Sequence, residues 1–141
     1  VKKKLAHVGI TDWLGDTPPP DWSEVIDQTV FRGNPLIEEA VFFHKPSKTA
    51  IFTDLTENFS DRFLRSEWKG WKYAIARLWR ITEPFGKAPL EVRLTWFGKA
   101  RGRVSLDKVK AWEPRQVVMA HGEWVRSGGA DYIARSFDWL G

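Results

Sequence analysis

Two apolar stretches of this 141-residue chain stop on a side chain that can ligate a metal or carry a proton. "TAIFT" runs into Asp54, and "QVVMA" runs into His121. Each polar group thereby stands just past an apolar strand, where α/β sheets form their ligand crevices. A carboxylate facing a neutral imidazole suits Zn²⁺ or a similar ion, because both are compact oxygen or nitrogen donors and neither needs a thiol. The same residues also fit plain structural roles, with Asp54 capping the following turn and His121 hydrogen-bonded at a strand end. Three further side chains are candidate ligand-binding residues. Arg32 is placed either to clamp an anionic group or to pair with a carboxylate such as Asp27. His44, in "FFHKP", follows an apolar strand and falls at the sheet end opposite Asp54 if the two strands are antiparallel neighbours. Glu123 is placed to orient the His121 ring or to sit exposed on a loop.

Composition narrows the chemistry. Cysteine is absent, which excludes disulfides, thiolate nucleophiles and Cys-ligated zinc. With 43% apolar residues, nine Trp and nine Phe, the chain has ample material for a hydrophobic core. The 22 basic and 18 acidic residues leave a net charge of +4, which permits an anionic small-molecule partner but falls short of a nucleic-acid-binding tail. No apolar run approaches the roughly 18 residues of a membrane span, and no signal peptide opens the chain, so a soluble, cytoplasmic protein is expected. No P-loop, dinucleotide fingerprint or serine nucleophile elbow is present. The first residue is Val1, followed by three lysines, which suggests a processed product or a fragment.

The elements that would position these residues follow from the patterning. Residues 1–24 hold three consecutive prolines and read as an extended arm, with Trp13 and Trp22 able to pin it, ahead of a domain over 25–141. "DQTVFRG", "EEAVFFHK" and "KTAIFTDL" are strand-like, and the short "PS" link makes the last two a hairpin. Over 60–81, Leu64, Trp68, Trp71, Ile75, Leu78 and Trp79 draw one helical stripe, capped by Ser60, with a bend or close packing expected at Gly70. Arg62, Arg65, Lys69, Lys72 and Arg80 line an adjoining face. That face could rest on an anionic membrane surface or on nucleic acid, although a solvated face beside a buried tryptophan stripe accounts for it without a partner. "LEVRLTWF" alternates as a strand would, although its charged surroundings fit irregular structure equally, and "GKARGR" reads as a basic loop. "VSLDKVKAW" is a short helix capped by Ser105, "QVVMA" is a strand, and a terminal helix buries Ala130, Ile133, Ala134, Phe137 and Leu140. The order of elements predicts an α/β layered domain with a mixed sheet.

"LGDTPPPDW", "IDQTVFRGN", "EEAVFFHKPSKTAIFTDLTENF" and "AWEPRQVVMAHGE", in this order, resemble the DUF4336 family of the metallo-β-lactamase-like hydrolase superfamily. The resemblance covers the chain from about residue 14 onward. It implies half of an αβ/βα sandwich with helices on one face, Asp54 at the position of the bridging aspartate and His121 at that of the last metal histidine. It also implies zinc or another divalent metal in the full-length protein. The superfamily's first metal motif, His-x-His-x-Asp-His, is missing, and "VFRGN" stands where another metal histidine is expected. The chain therefore reads as a C-terminal portion whose N-terminal half lies upstream. Such a half-sandwich would expose an apolar sheet face, with contributors among Val41, Phe43, Ile51, Val118 and the tryptophans according to which alternate positions face inward, and would find a partner in that missing half or in a second copy. The expected function is a metal-dependent hydrolase with a degenerate site. The alternative is a non-catalytic module that binds an anionic ligand, a membrane surface or a protein.

Overall fold

A computed structural model describes residues 13–141. In chain order the elements are α1 (Pro20–Ser23), β1 (Ile26–Phe31), β2 (Glu39–His44), β3 (Thr49–Ile51), β4 (Glu57–Asn58), α2 (Asp61–Glu67), α3 (Gly70–Trp79), α4 (Leu90–Leu94), α5 (Lys99–Ala111), β5 (Gln116–Val118), β6 (His121–Gly122) and α6 (Gly129–Ser136), closed by a 3₁₀ turn over Asp138–Leu140. The main sheet has four strands in the order β1-β2-β3-β5. The first three are antiparallel neighbours, whereas β5 lies parallel to β3. The chain is thus mixed α/β, and β2 and β3 form the expected hairpin. No helix among the described residues is long and apolar enough to cross a membrane.

Register decides which side chains share a face. Asp27 pairs with Phe43, Phe43 with Ala50, and Ala50 with Val117, so these four point the same way. That face, with Phe31, Val41 and Phe52, is buried against Leu106 and Val109 of α5 and Tyr132 and Ile133 of α6. Each such apolar side chain contributes about 1.5–3 kcal/mol when fully buried. On the other face Gln28, Phe42, Ile51 and Val118 form a row. Phe42, Ile51 and Val118 are half-buried. The apolar set expected on one open face is therefore divided: Val41 and Phe43 lie beneath the helices, and Ile51 and Val118 point away from them.

The arm is fastened rather than loose where it is described. Its first twelve residues, 1–12, lie outside the described residues. The Gln28 amide, fully buried, donates to the carbonyls of Gly15 (2.8 Å) and Thr17 (3.3 Å) and accepts from the Trp22 indole (3.2 Å). Trp22 pins the arm as expected, whereas Trp13 is 65% exposed. Pro20 opens α1, where its missing N–H is harmless.

Several elements differ from the pattern-based reading, each for a local reason. The single helix expected over 60–81 is two. Ser60 caps α2 by accepting the Phe63 N–H (3.4 Å), but Trp68 and Lys69 are extended and Gly70 starts a new helix. Two non-helical residues shift the phase of the stripe, so Leu64 is buried while Trp71 and Leu78 are 65% and 78% exposed. "LEVRLTWF" contains helix α4, not a strand. Pro89 precedes it, and the Asn34 amide holds its end by donating to the Val92 carbonyl (2.9 Å) and the Thr95 hydroxyl (2.8 Å). Helix α5 begins at Lys99, so "GKARGR" forms its first turns. Ser105 is inside that helix, and its hydroxyl donates to the Val30 carbonyl of β1 (2.9 Å) instead of capping. In α6 the buried side is Tyr132, Ile133 and Ser136, leaving Ala130 and Ala134 exposed.

Candidate functional site

Asp54 and His121 meet because β3 and β5 are parallel and in register. Ile51 is the partner of Val118, and each chain then advances three residues past the sheet edge to reach Asp54 and His121. Two parallel strands leaving a sheet side by side place their next residues at a common crevice. Nε2 of His121 lies 3.1 Å from Oδ1 of Asp54, and both side chains are about half exposed, at 48% and 52%. The pair is therefore open to a ligand from solvent.

The loop carrying Asp54 is fixed from beneath by Glu39. This carboxylate, only 4% exposed, accepts the backbone N–H groups of Thr53 (2.6 Å), Asp54 (2.8 Å) and Leu55 (2.9 Å). Burial pushes the Glu39 carboxyl above its usual value, and the N–H donors oppose that shift without cancelling it. His121 is held by a second, two-stranded sheet, in which β4 pairs parallel with β6 and Glu57 is the partner of His121. Gly122 allows this pairing. Its φ is +99°, and a Cβ there would come 2.3 Å from the Asn58 carbonyl oxygen. The "HG" that ends the strand is thus one residue for the site and one for the close approach that positions it.

Glu57 completes an acidic surround. Burial pushes its carboxyl above the usual range; His121 pulls it down, while Glu91 and Asp54 push it further up. A cleft of about 220 Å³, lined by Phe59, Ser60, Phe63, Gly122 and Glu123, opens one residue beyond His121.

No family profile and no curated protein matches this chain.

The other sequence candidates lie elsewhere or serve other ends. His44 is at the far end of the sheet, where its Nδ1 is 2.7 Å from the Ser47 hydroxyl in the β2–β3 turn. Glu123 faces Ser60, whose hydroxyl is 3.5 Å from its carboxylate, and does not orient the His121 ring. Arg32 pairs with Asp16 at 2.7 Å, not with Asp27. Asp27 is instead taken by the Lys108 ammonium (3.0 Å) and the Trp112 indole (2.9 Å). A cavity of about 280 Å³ beside Arg32, Arg101 and Lys108 consequently has two of its three cations already neutralised.

Glu39 and Glu57 escaped the sequence reading. Glu39 had a signal: it shares strand parity with Val41 and Phe43, so a charged residue was placed on the inward face of β2. Glu57 had none, because β4 is two residues long and pairs with a strand more than sixty residues away. As a metal centre the donor set is incomplete. Among the described residues no group of three His, Asp or Glu side chains is close enough to hold an ion, and catalytic zinc takes three protein ligands plus water.

Proposed function

We propose that this chain is a metallo-β-lactamase-like domain with a degenerate metal site, in which Asp54 and His121 are the two ligand side chains that remain. The observation that carries this reading is the 3.1 Å approach of an aspartate and a histidine at the ends of parallel strands β3 and β5. Two donors can hold a divalent ion weakly but cannot form a catalytic centre by themselves, so no hydrolytic step is assigned to this chain alone. What its own residues do is hold the site. Glu39 fixes the Asp54 backbone, Gly122 seats His121 beside Glu57, and Asp54 hydrogen-bonds one imidazole nitrogen, which sets the tautomer when the ring is neutral. The half-sandwich fold belongs to the same proposal. The half-buried row Phe42, Ile51 and Val118, on the face away from α5 and α6, is where a second sheet would rest.

The alternative of an anionic ligand held by Arg32 is disfavoured because Asp16 already occupies that guanidinium. Calorimetric titration of the chain with Zn²⁺ and Mn²⁺ tests the proposal. Weak binding that is lost in both Asp54→Asn and His121→Ala is expected. Binding unchanged in either variant, or no binding at millimolar metal, would overturn it.

A further inference from the structure

The hairpin of α2 and α3 presents a surface that the Asp54–His121 site does not use. Its buried side is small: Leu64, Ala76 and Ile81, with Phe59, Trp68, Tyr73 and Trp79 partly packed against them. Its outer side leaves Trp71 and Leu78 exposed at 65% and 78%. Seven residues apart on one helix, they fall on a single stripe two turns long.

Charge is concentrated in the same place. Residues 60–81 hold six Lys and Arg and two Asp and Glu, a net +4 equal to that of the whole chain. Arg65 and Arg77 share Asp61, at 3.9 and 3.7 Å. Arg62, Lys69 and Lys72 have no carboxylate partner among the described residues, and the Lys72 ammonium lies 5.7 Å from the Trp71 ring centre. An exposed tryptophan and leucine two turns apart on one helix, with the Lys72 ammonium near the tryptophan and Arg62 and Lys69 on the same hairpin, match the chemistry of a lipid headgroup layer, which is apolar below and anionic above. Nucleic acid fits less well, because Leu78 has no face on which a base could stack.

We propose that the α2–α3 hairpin docks this chain on an anionic lipid surface. Trp71 and Leu78 enter the boundary between headgroups and acyl chains, while Arg62, Lys69 and Lys72 meet lipid phosphates. The inference is independent of any metal at Asp54 and His121.

Co-sedimentation of the whole chain with phosphatidylcholine vesicles, with and without phosphatidylserine, tests it. Binding to the serine-containing vesicles and its loss at high salt are expected. Lys69→Ala with Lys72→Ala should weaken partitioning about 25-fold, roughly fivefold for each charge. Trp71→Ser with Leu78→Ser should weaken it on the order of tenfold, with an unchanged thermal melt, since both sites are exposed. Three results would overturn the proposal: no vesicle binding, equal binding to both vesicle types, or binding indifferent to the Trp71 and Leu78 changes. So would a single-stranded oligonucleotide that binds the chain and that vesicles fail to displace.

Discussion

Phe31 and Trp71 are both aromatic side chains in regular elements with apolar neighbours, yet one is fully buried and the other is 65% exposed. Phe31 sits on β1, and its ring meets those of Phe52, Trp96 and Phe137 at 6.4, 6.5 and 5.6 Å. These partners come from distant parts of the chain and are fixed by sheet register. Trp71 belongs to a hairpin whose contacts are mostly local, and two extended residues before it turn its stripe away from the core. A helical pattern of apolar residues therefore establishes that a helix forms, but not what its stripe faces. Sheet register, by contrast, delivers both burial and the meeting of Asp54 with His121.

The largest expected effect lies in the main core. Phe31→Ala should destabilise the whole chain by about 3–5 kcal/mol, seen as a lower urea midpoint, because it removes a ring from a fully enclosed aromatic cluster. Leu64→Ala is the matching change in the hairpin. Hydrogen exchange should then quicken in α2 and α3 while β3 and β5 keep their protection. Equal loss in both regions would mean that the hairpin and the core unfold as one unit.

The next effect is at the loop that carries Asp54. Glu39→Ala leaves the N–H groups of Thr53, Asp54 and Leu55 without their acceptor. A loss of about 1–3 kcal/mol is expected, with faster amide exchange confined to those residues if the sheet is otherwise intact. Unchanged stability would show that water replaces the carboxylate without penalty.

Acid and base arms of the stability curve should separate two carboxylates. The folded-state value of Glu57 is raised above its ordinary 4.5, so the native chain holds that proton more tightly. Its contribution is fully present below about pH 4.5 and is lost as pH rises through the folded value. Glu57→Gln should accordingly match or lag the parent at low pH and exceed it at neutral pH. Asp27 has the opposite sign. Burial raises its carboxyl, but the hydrogen bonds from Lys108, Trp112 and the Gln28 N–H outweigh that and bring it below 3.8. Its contribution is present above that value and fades as pH falls through the lower, folded one, so Asp27→Asn should weaken the chain at neutral pH and not at the acid extreme. Urea midpoints across pH check both.

The smallest effect is expected at the exposed stripe. Trp71→Ala and Leu78→Ala should each stay within about 0.5 kcal/mol of the parent in urea melts, whatever they do to lipid binding. A larger loss would mean that the stripe is covered in the free chain.

The strands were readable from their own residues: the apolar, β-branched and aromatic runs of 26–31, 39–44 and 116–118 coincide with β1, β2 and β5. Asp54 and His121 could be singled out because each follows such a run. Their approach was expected on the ground that both end core strands, and they meet at 3.1 Å; the pairing that brings them together, β5 adding parallel to β3 across more than sixty residues, was not readable. Helix α4 was misread because Leu90, Val92 and Leu94 alternate at the strand period of two, whereas the segment is a helix with no fully buried residue and with Leu94 69% exposed. The early start of α5 was hidden by its composition: Lys99, Arg101, Gly102 and Arg103 look like a loop until Gly102 is found against Trp96 and Leu140.

The central claim, that Asp54 and His121 act together as metal ligands, is tested most directly by the imidazole ¹⁵N spectrum as Zn²⁺ is added. His121 should respond first, its Nε2 signal moving as the contact with Asp54 is replaced by metal, and the response should vanish in Asp54→Asn while His44 stays fixed. A spectrum in which His44 responds first, or in which His121 responds identically without the Asp54 carboxylate, would contradict the account.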